Sequence, residues 1–291
     1  MSNSITTFKK YVPLLDEVYR QAAVTSVLDG SPELVREGAA AGELVIPKMA
    51  MSGLANYSRN GGYATGEVTL TNETVQCNFD RGRMFSVDAL DDAETAGVAF
   101  GRLSGEFIRA KVAPELDAFR FATYCQKTGI GTATPAALTT GAAVITALRA
   151  AVTAMDNAEV PFENRYLFIN GGLLALVEDL DTTKSRAVLA RFQQIIQVPD
   201  TRFYTKITQR DGTTTGQTEG GYVKADTGKA INFLVLHKDA LIQFSKHITP
   251  KVIAPEQNPD ADSWKFGYRH VAIADVYANK LGGVYLHAAT A

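Results

Sequence analysis

Three glycine-containing segments could handle phosphates or acyl groups, and each lacks one residue that the chemistry needs. Residues 129–131 read GIG, but Thr134 stands where a dinucleotide-binding loop requires its third glycine. Residues 228–229 read GK, but Ala230 lacks the hydroxyl that holds magnesium in a phosphate-binding loop. Residues 101–105 read GRLSG, with the serine one position too late for a nucleophile elbow. The sequence therefore predicts neither nucleotide binding nor serine-hydrolase chemistry.

Titratable side chains give no stronger indication of catalysis. The histidines lack the i, i+4 spacing that puts two imidazoles on one helix face for a metal; they are His237, His247, His270 and His287. The paired acidic residues lie in turn-like sequence, where Asp commonly bonds nearby backbone; they are Asp179 with Asp181 and Asp260 with Asp262. Cys77 and Cys125 fit neither a zinc site nor a disulfide framework. We therefore expect no enzyme, no metal and no cofactor.

The composition is that of an ordinary globular protein. The chain has 291 residues, of which 46% are hydrophobic and 21% charged, which excludes wholesale disorder. Its 29 basic and 31 acidic side chains give no global attraction to nucleic acid or to an anionic membrane. The first ten residues lack an apolar signal core, and the uncharged residues 128–148 are too polar for a membrane span. We expect a soluble protein made in the cytoplasm, with no membrane partner.

The most unusual segment is a glycine-rich stretch, residues 52–65, that carries Tyr57 and Tyr63. Residues 67–79 follow it as an extended strand whose apolar residues change phase near residues 72–73, where we expect a bulge or a strong twist. A flexible surface loop would explain the glycines alone. A long strand beside an aromatic tip predicts instead a projecting β-ribbon that a neighbouring subunit buries.

The clearest helix signal begins where Asp91 and Glu94 have capping-box spacing. Its apolar stripe consists of Ala96, Phe100, Leu103, Phe107 and Ala110. Glycines recur along another side, which predicts that a second backbone passes close to Gly97, Gly101 and Gly105. Pro114 should bend or end this helix, and residues 115–124 should continue helically.

The rest of the chain mixes helices and strands in irregular order, which indicates an α+β fold. Further helices are predicted over residues 13–28, 140–157 (capped by Thr140), 171–178, 185–195 and 238–246. Strands are predicted over residues 43–51, 165–170, 201–208, 221–224, 231–236, 264–277 and 283–287. The polar, glycine-rich residues 210–220 predict a mobile loop.

Three segments resemble the major capsid proteins of tailed bacteriophages. They are residues 53–63 (GLANYSRNGGY), residues 80–95 (DRGRMFSVDALDDAET) and residues 277–287 (YANKLGGVYLH). They stand in the order found in that family, and the order of elements agrees over most of the chain. The resemblance implies the HK97-like capsid fold, which has an N-terminal arm, an extended β-loop, a spine helix, and peripheral and axial domains.

Mapped onto this sequence, the resemblance implies four regions. The N-terminal arm would span residues 1–42 and the extended loop residues 48–85. The peripheral domain, with the spine helix over residues 91–113, would comprise residues 86–134 and 250–291. The axial domain would span residues 135–249. Which of these two domains holds the final strand stays open.

The resemblance also implies a function, which is a structural coat subunit of an icosahedral shell that encloses phage DNA without sequence-specific binding. The expected partners are copies of the chain in pentamers and hexamers, a separate scaffolding protein, a portal and decoration proteins. The virion would be its location, after assembly in the cytoplasm of the bacterial host. Tyr57, Arg59 and Tyr63 in the extended loop are the expected intersubunit contacts.

Two other functions fit the sequence. An encapsulin-type nanocompartment shell would share the fold and nearly every feature, so only the genome neighbourhood or the cargo separates the two. The second is a soluble α+β enzyme that uses His237 or His270 as a base and works as a monomer of about 31 kDa.

The sequence predicts a shell without covalent cross-links through its loop. Some relatives join a loop lysine to an asparagine of a neighbour, but no lysine occurs here between Lys48 and Lys111. Arg59 cannot replace it, because its guanidinium stays protonated. Mature particles boiled in detergent should therefore run as single chains on a gel. A ladder of multimers that maps to residues 48–85 would contradict this.

Overall fold

A computed structural model describes residues 22–30, 36–37, 43–90, 98–180 and 182–290. Most of the predicted first helix, the capping box at Asp91 and Glu94, and most of the N-terminal arm lie outside these residues. We call residues 22–30, which include a single 3₁₀ turn at Val24–Leu28, the strap.

The strands in chain order are β1 (Arg36–Glu37), β2 (Glu43–Met51), β3 (Val68–Gln76), β4 (Phe79–Asp88), β5 (Gly131–Thr132), β6 (Arg165–Asn170), β7 (Gln194–Val198), β8 (Ile207–Gln209), β9 (Tyr222–Lys224), β10 (Ile231–His237), β11 (Leu241–Ile253), β12 (Ser263–Val276) and β13 (Val284–Ala288). The α-helices are α1 (Val98–Phe107), α2 (Ala113–Cys125), α3 (Gly141–Asn157), α4 (Gly171–Glu178) and α5 (Thr183–Leu189). A π-helical turn, Ile108–Val112, joins α1 to α2 into one spine helix.

The strands form four sheets within the described residues. A mixed five-stranded sheet has the order β5-β13-β10-β6-β7, and a three-stranded antiparallel sheet has the order β11-β12-β4. Strands β2 and β3 form a long antiparallel ribbon, with the short β1 beside its base, and β8 and β9 form a hairpin. The helices and strands alternate in irregular order along the chain, which confirms the expected α+β class.

The main core lies on both faces of the five-stranded sheet. One face packs against α3, whose predicted stripe is fully buried and consists of Val144, Leu148, Ala151 and Met155. The other face packs against α2 and the strap, through Phe121, Tyr124 and Leu28. Thr140 caps α3 as predicted, by accepting a hydrogen bond from the Ala143 amide.

The ribbon differs from its prediction in one respect. Its register is continuous from Glu43 opposite Gln76 to Met51 opposite Val68, so of the two expected causes, a bulge or a strong twist near residues 72–73, the bulge is wrong. The apolar residues of β3 change face because the outer part of the ribbon is exposed whereas its base packs on the rest of the protein. Leu70 is exposed on one face of the ribbon, whereas Val75 on the other face packs into the body of the protein.

The spine helix continues through Pro114 without a break, and its buried face shifts within it. Pro114 does not end it, because the π turn just before the proline lets the helix continue into α2. The extra residue of that turn shifts the buried face by one position. Ile108 and Val112 are therefore buried, while Ala110 of the predicted stripe is exposed.

Two predicted helices are wrong over part of their length. Residues 238–246 contain only the 3₁₀ turn Lys238–Ala240 before β11 begins, and β11 pairs with β12 from Leu241 to Ile253 with one register shift between Ser245 and His247. The predicted helix over residues 185–195 ends at Leu189, and β7 then pairs in parallel with β6. In both places the neighbouring strand decides the structure of a short apolar segment.

Two glycines should respond in opposite ways to alanine. A Cβ at Gly105 in the spine helix would meet nothing within 4 Å, so the expected close backbone is absent at this residue within the described chain. Gly105→Ala should therefore stabilise the protein by about 0.5–1 kcal/mol. A Cβ at Gly141 would lie 2.1 Å from the Leu176 carbonyl oxygen, so Gly141→Ala should destabilise it by about 1–3 kcal/mol. Urea denaturation of the unassembled subunit measures both, and a stabilising Gly141→Ala would contradict this packing.

Candidate intersubunit surface

One face of the ribbon is apolar and exposed. Met49 lies opposite Leu70, and Met51 opposite Val68, so these four side chains share one face. Each of the four is between 59% and 69% exposed. At the same level of the ribbon, the opposite face carries Ala50 and its cross-strand neighbour Thr69. We call Met49, Met51, Val68 and Leu70 the ribbon face.

The base of the ribbon is anchored in the subunit. Val75 packs against Ile242 of β11 and Ile273 of β12, both fully buried. This contact connects the ribbon to the three-stranded sheet. The ribbon therefore has a fixed base, while the ribbon face beyond it is exposed.

The tip of the ribbon is an ordered turn. Ser58 and Gly62 pair through two backbone hydrogen bonds of 3.1 and 2.8 Å. The rings of Tyr57 and Tyr63, on either side of this pair, meet edge to face with centroids 4.9 Å apart. Tyr63 is nevertheless 90% exposed, and Leu54 nearby is fully exposed.

Arg59 lies within this turn, between Ser58 and Gly62, and its side chain is exposed. Within the described part of the chain it has no hydrogen bond or ion pair. The structure thus brings Tyr57, Arg59 and Tyr63 together at one tip. Their role as contacts to a neighbour stays a prediction.

The sequence prediction missed Met49, Met51 and Leu54. A signal for the first two was available, since methionines two residues apart in a strand share one face. The register of β2 against β3 was needed to show that they face Val68 and Leu70.

A groove of about 1430 Å³ runs between the spine helix, β4 and the β8–β9 hairpin. Arg81 crosses it, with an ion pair of 2.8 Å to Glu115 and a 2.6 Å hydrogen bond to the Arg210 carbonyl. Burial raises the pKa of Glu115, and the charge of Arg81 opposes that shift. Arg83 donates to the carbonyls of Thr218 and Glu219. These bonds fasten the loop that the sequence predicted to be mobile.

His270 is a poor candidate for a catalytic base. It is fully buried, and its Nε2 lies 2.9 Å from the Ser245 hydroxyl, which resembles a nucleophile–base pair. Burial, together with the positive charge of Arg120, lowers its pKa to about 3. A base that works near neutral pH needs a pKa close to that pH. His237 is also buried, and burial lowers its pKa as well.

Other kinds of site have no support in the residues that the structure describes. No cluster of three or more His, Cys, Asp or Glu side chains could hold a metal ion among them. None of their helices combines the length and apolarity needed to cross a bilayer.

Comparison with known proteins gives structural similarity without detectable sequence similarity. No protein family profile matches the chain, and no curated protein sequence matches it significantly. A structure from Mycobacterium phage Che8 matches 85% of each chain with a TM-score of 0.58 and 15% identity. The capsid structure of the cyanophage P-SCSP1u matches with a TM-score of 0.55 and 13% identity, over 88% of this chain and 85% of its own.

The third structure is a virus-like particle from Pyrococcus furiosus. It matches 95% of this chain and 99% of its own, with a TM-score of 0.57 and 10% identity. The chain therefore has the fold of these shell proteins. The expected HK97-like fold is confirmed, and the resemblance to tailed-phage capsid proteins holds at the level of the fold.

The buried His270 should make stability depend on pH. Its pKa in the folded protein is about 3, against an ordinary value of 6.5. Between these values the unfolded chain binds a proton that the folded protein does not, so stability falls as the pH drops below about 6.5. This one group contributes a slope of at most about 1.4 kcal/mol per pH unit. His270→Gln should reduce the acid sensitivity by that slope, measured by urea denaturation from pH 7 to pH 4. Equal slopes for the two proteins would show that His270 is protonated in the folded state.

Proposed function

We propose that this protein is the major capsid subunit of a tailed bacteriophage and assembles into an icosahedral shell that encloses double-stranded DNA. The observation that carries the proposal is the exposed ribbon face, which lies on a fold shared with capsid proteins. Four adjacent apolar side chains exposed on a projection are unusual for a monomer, and such patches mark interaction sites.

A second copy of the chain is the partner that best fits the ribbon face. A two-stranded ribbon is marginally stable alone, and packing of its apolar side on a neighbour would stabilise it. Burial of one Leu or Met side chain contributes about 1.5–3 kcal/mol. Interfaces that repeat by rotation close into rings, here pentamers and hexamers. Because the contacts act together, each one can be modest.

The remaining parts of the proposal follow from this role. The subunit is structural rather than enzymatic and is located in the virion, after assembly in the host bacterial cytoplasm. A separate scaffolding protein guides assembly, and a portal and decoration proteins complete the particle. The nearly balanced charge, 29 basic against 31 acidic side chains, suits a shell that surrounds DNA without binding its phosphates tightly.

An encapsulin-type compartment shell is the second candidate. It is supported by the similarity to the virus-like particle from Pyrococcus furiosus, which extends over 95% of this chain. Both candidates assemble into shells, so their contents distinguish them. DNA inside the particle supports the capsid, whereas a packaged protein supports the compartment.

The proposal is tested by electron microscopy of the purified protein, produced alone and together with the scaffolding protein of the same phage. We expect uniform closed shells when both proteins are present. Monomer as the only species in light scattering, over a wide range of protein and salt concentrations and with the scaffold present, would refute a shell function. Uniform shells from the chain alone would refute the need for a scaffold.

The ribbon face should be needed for assembly and not for folding. Leu70→Lys places a charge on that face, whereas the control Thr69→Lys places the same charge on the opposite face of the same strand. Both residues are exposed in the subunit, so its melting temperature should change little. Particle yield should fall strongly for Leu70→Lys and much less for the control. Equal yields would show that the ribbon face is not the assembly surface.

Arg59 should contribute to assembly through a forked contact with a carboxylate or carbonyls of the neighbour. Arg59→Ala should leave the melting of the unassembled subunit unchanged, because the turn adds little to the core. Assembly should weaken by about 1–3 kcal/mol per contact if the partner is a buried charge. Asn60→Ala in the same turn is the control. Normal particles from Arg59→Ala would show that the Arg59 side chain faces solvent and makes no contact needed for assembly.

A further inference from the structure

The strap is held by hydrogen bonds to polar side chains of α2 and β11, and we call this binding surface its seat. Both oxygens of the buried Asp117 carboxylate serve it, since Oδ2 accepts from the Val24 amide and Oδ1 from the amide and hydroxyl of Thr25. Gln243 of β11 donates to the Thr25 carbonyl at 2.7 Å. Thr25 is fully buried, and Leu28 is 1% exposed in the main core. The strap is thus a structural part of the subunit.

Arg202 binds to the same carboxylate from the other side. Its Nη1 donates to Asp117 Oδ2 at 3.1 Å, the oxygen that also receives the Val24 amide. The same nitrogen donates at 3.0 Å to the Ala22 carbonyl in the strap. Removal of the strap would therefore take away one of the two acceptors of Arg202 and three of the four bonds to Asp117.

Arg202 connects this seat to the β8–β9 hairpin. It ends the 3₁₀ turn Asp200–Arg202, and the Thr201 carbonyl of that turn accepts a 2.8 Å hydrogen bond from the Tyr222 hydroxyl. Tyr222 begins β9, which pairs with β8. The hairpin in turn forms one wall of the groove beside the spine helix.

We infer that the strap and the β8–β9 hairpin are coupled through the Asp117 carboxylate, so that a strap in its seat holds the hairpin and the groove wall in place. If the strap leaves, Asp117 loses donors and Arg202 loses an acceptor. The turn that carries Arg202 is then held by fewer bonds, which weakens the position of the Thr201 carbonyl that accepts the hydrogen bond from Tyr222. By thermodynamic linkage, anything that moves the hairpin also loosens the strap to the same extent. This coupling belongs to the single subunit and does not depend on shell assembly.

Hydrogen–deuterium exchange of the full-length unassembled subunit tests the coupling. Thr25→Val keeps the shape of the side chain and removes the hydroxyl bonds to Asp117 and Arg120. We expect exchange to become about three- to tenfold faster in the peptide that covers residues 22–30 and also in the peptide that covers the hairpin. Thr123→Val is the matched control, since its hydroxyl bonds only the Phe119 carbonyl of the same helix. Faster exchange in the strap with an unchanged hairpin would overturn the inference.

A substitution on the hairpin side of the coupling provides a second, independent test. Arg202 is partly exposed, so Arg202→Gln is a milder change than one at Thr25 and remains informative if Thr25→Val does not fold. It should speed exchange in the strap as well as in the hairpin. The double variant should show less than the product of the two single effects, because both act on one carboxylate. An unaffected strap in Arg202→Gln, or independent effects in the double variant, would refute the coupling.

Discussion

One buried carboxylate, that of Asp117, connects the spine helix to two distant parts of the chain. Asp117 is fully buried and accepts hydrogen bonds from Val24, Thr25 and Arg202, which come from the strap and from the turn before the hairpin. Burial raises its pKa, and the hydrogen bonds from Thr25 and the positive charges of Arg120 and Arg202 oppose the shift by favouring the charged form. A buried charge without such partners costs several kcal/mol. The network therefore ties the strap and the turn that carries Arg202 to the spine helix, and the hairpin is attached to that turn through Tyr222.

Beside its apolar core, this protein has a small buried polar network, and its ribbon exposes apolar side chains. The centre holds charged and polar side chains with many bonds, including Arg120, which is fully buried and donates to Thr25 and Asp29. The projecting ribbon instead exposes apolar side chains such as Met51 and Leu70. Directional bonds in the centre favour a single arrangement of the elements. Non-directional apolar contacts on the ribbon suit adhesion to another molecule.

The sequence was sufficient where neighbouring residues decide the structure. Thr140 and the stripe of α3 are examples, because a cap and a helical face depend on residues three or four positions apart. The ribbon tip was also predicted, from glycines and tyrosines within one short segment. The Asp117 network was missed because Thr25 and Arg202 lie 92 and 85 residues away from the carboxylate. The ribbon was predicted but its apolar face was not, since the register that places Met49 and Met51 beside Leu70 and Val68 comes from strand pairing.

The ribbon is attached to the three-stranded sheet at Val75, which packs on Ile242 and Ile273, so a change of its angle would be centred there. A strand of nine residues is about 30 Å long. A rotation of about 10° at the base therefore carries the far end through about 5 Å, while the atoms around Val75 move very little. In a closed shell, the angle between neighbours differs between rings of five and rings of six. A subunit with this geometry could meet both angles by small adjustments at one apolar contact, without repacking its core.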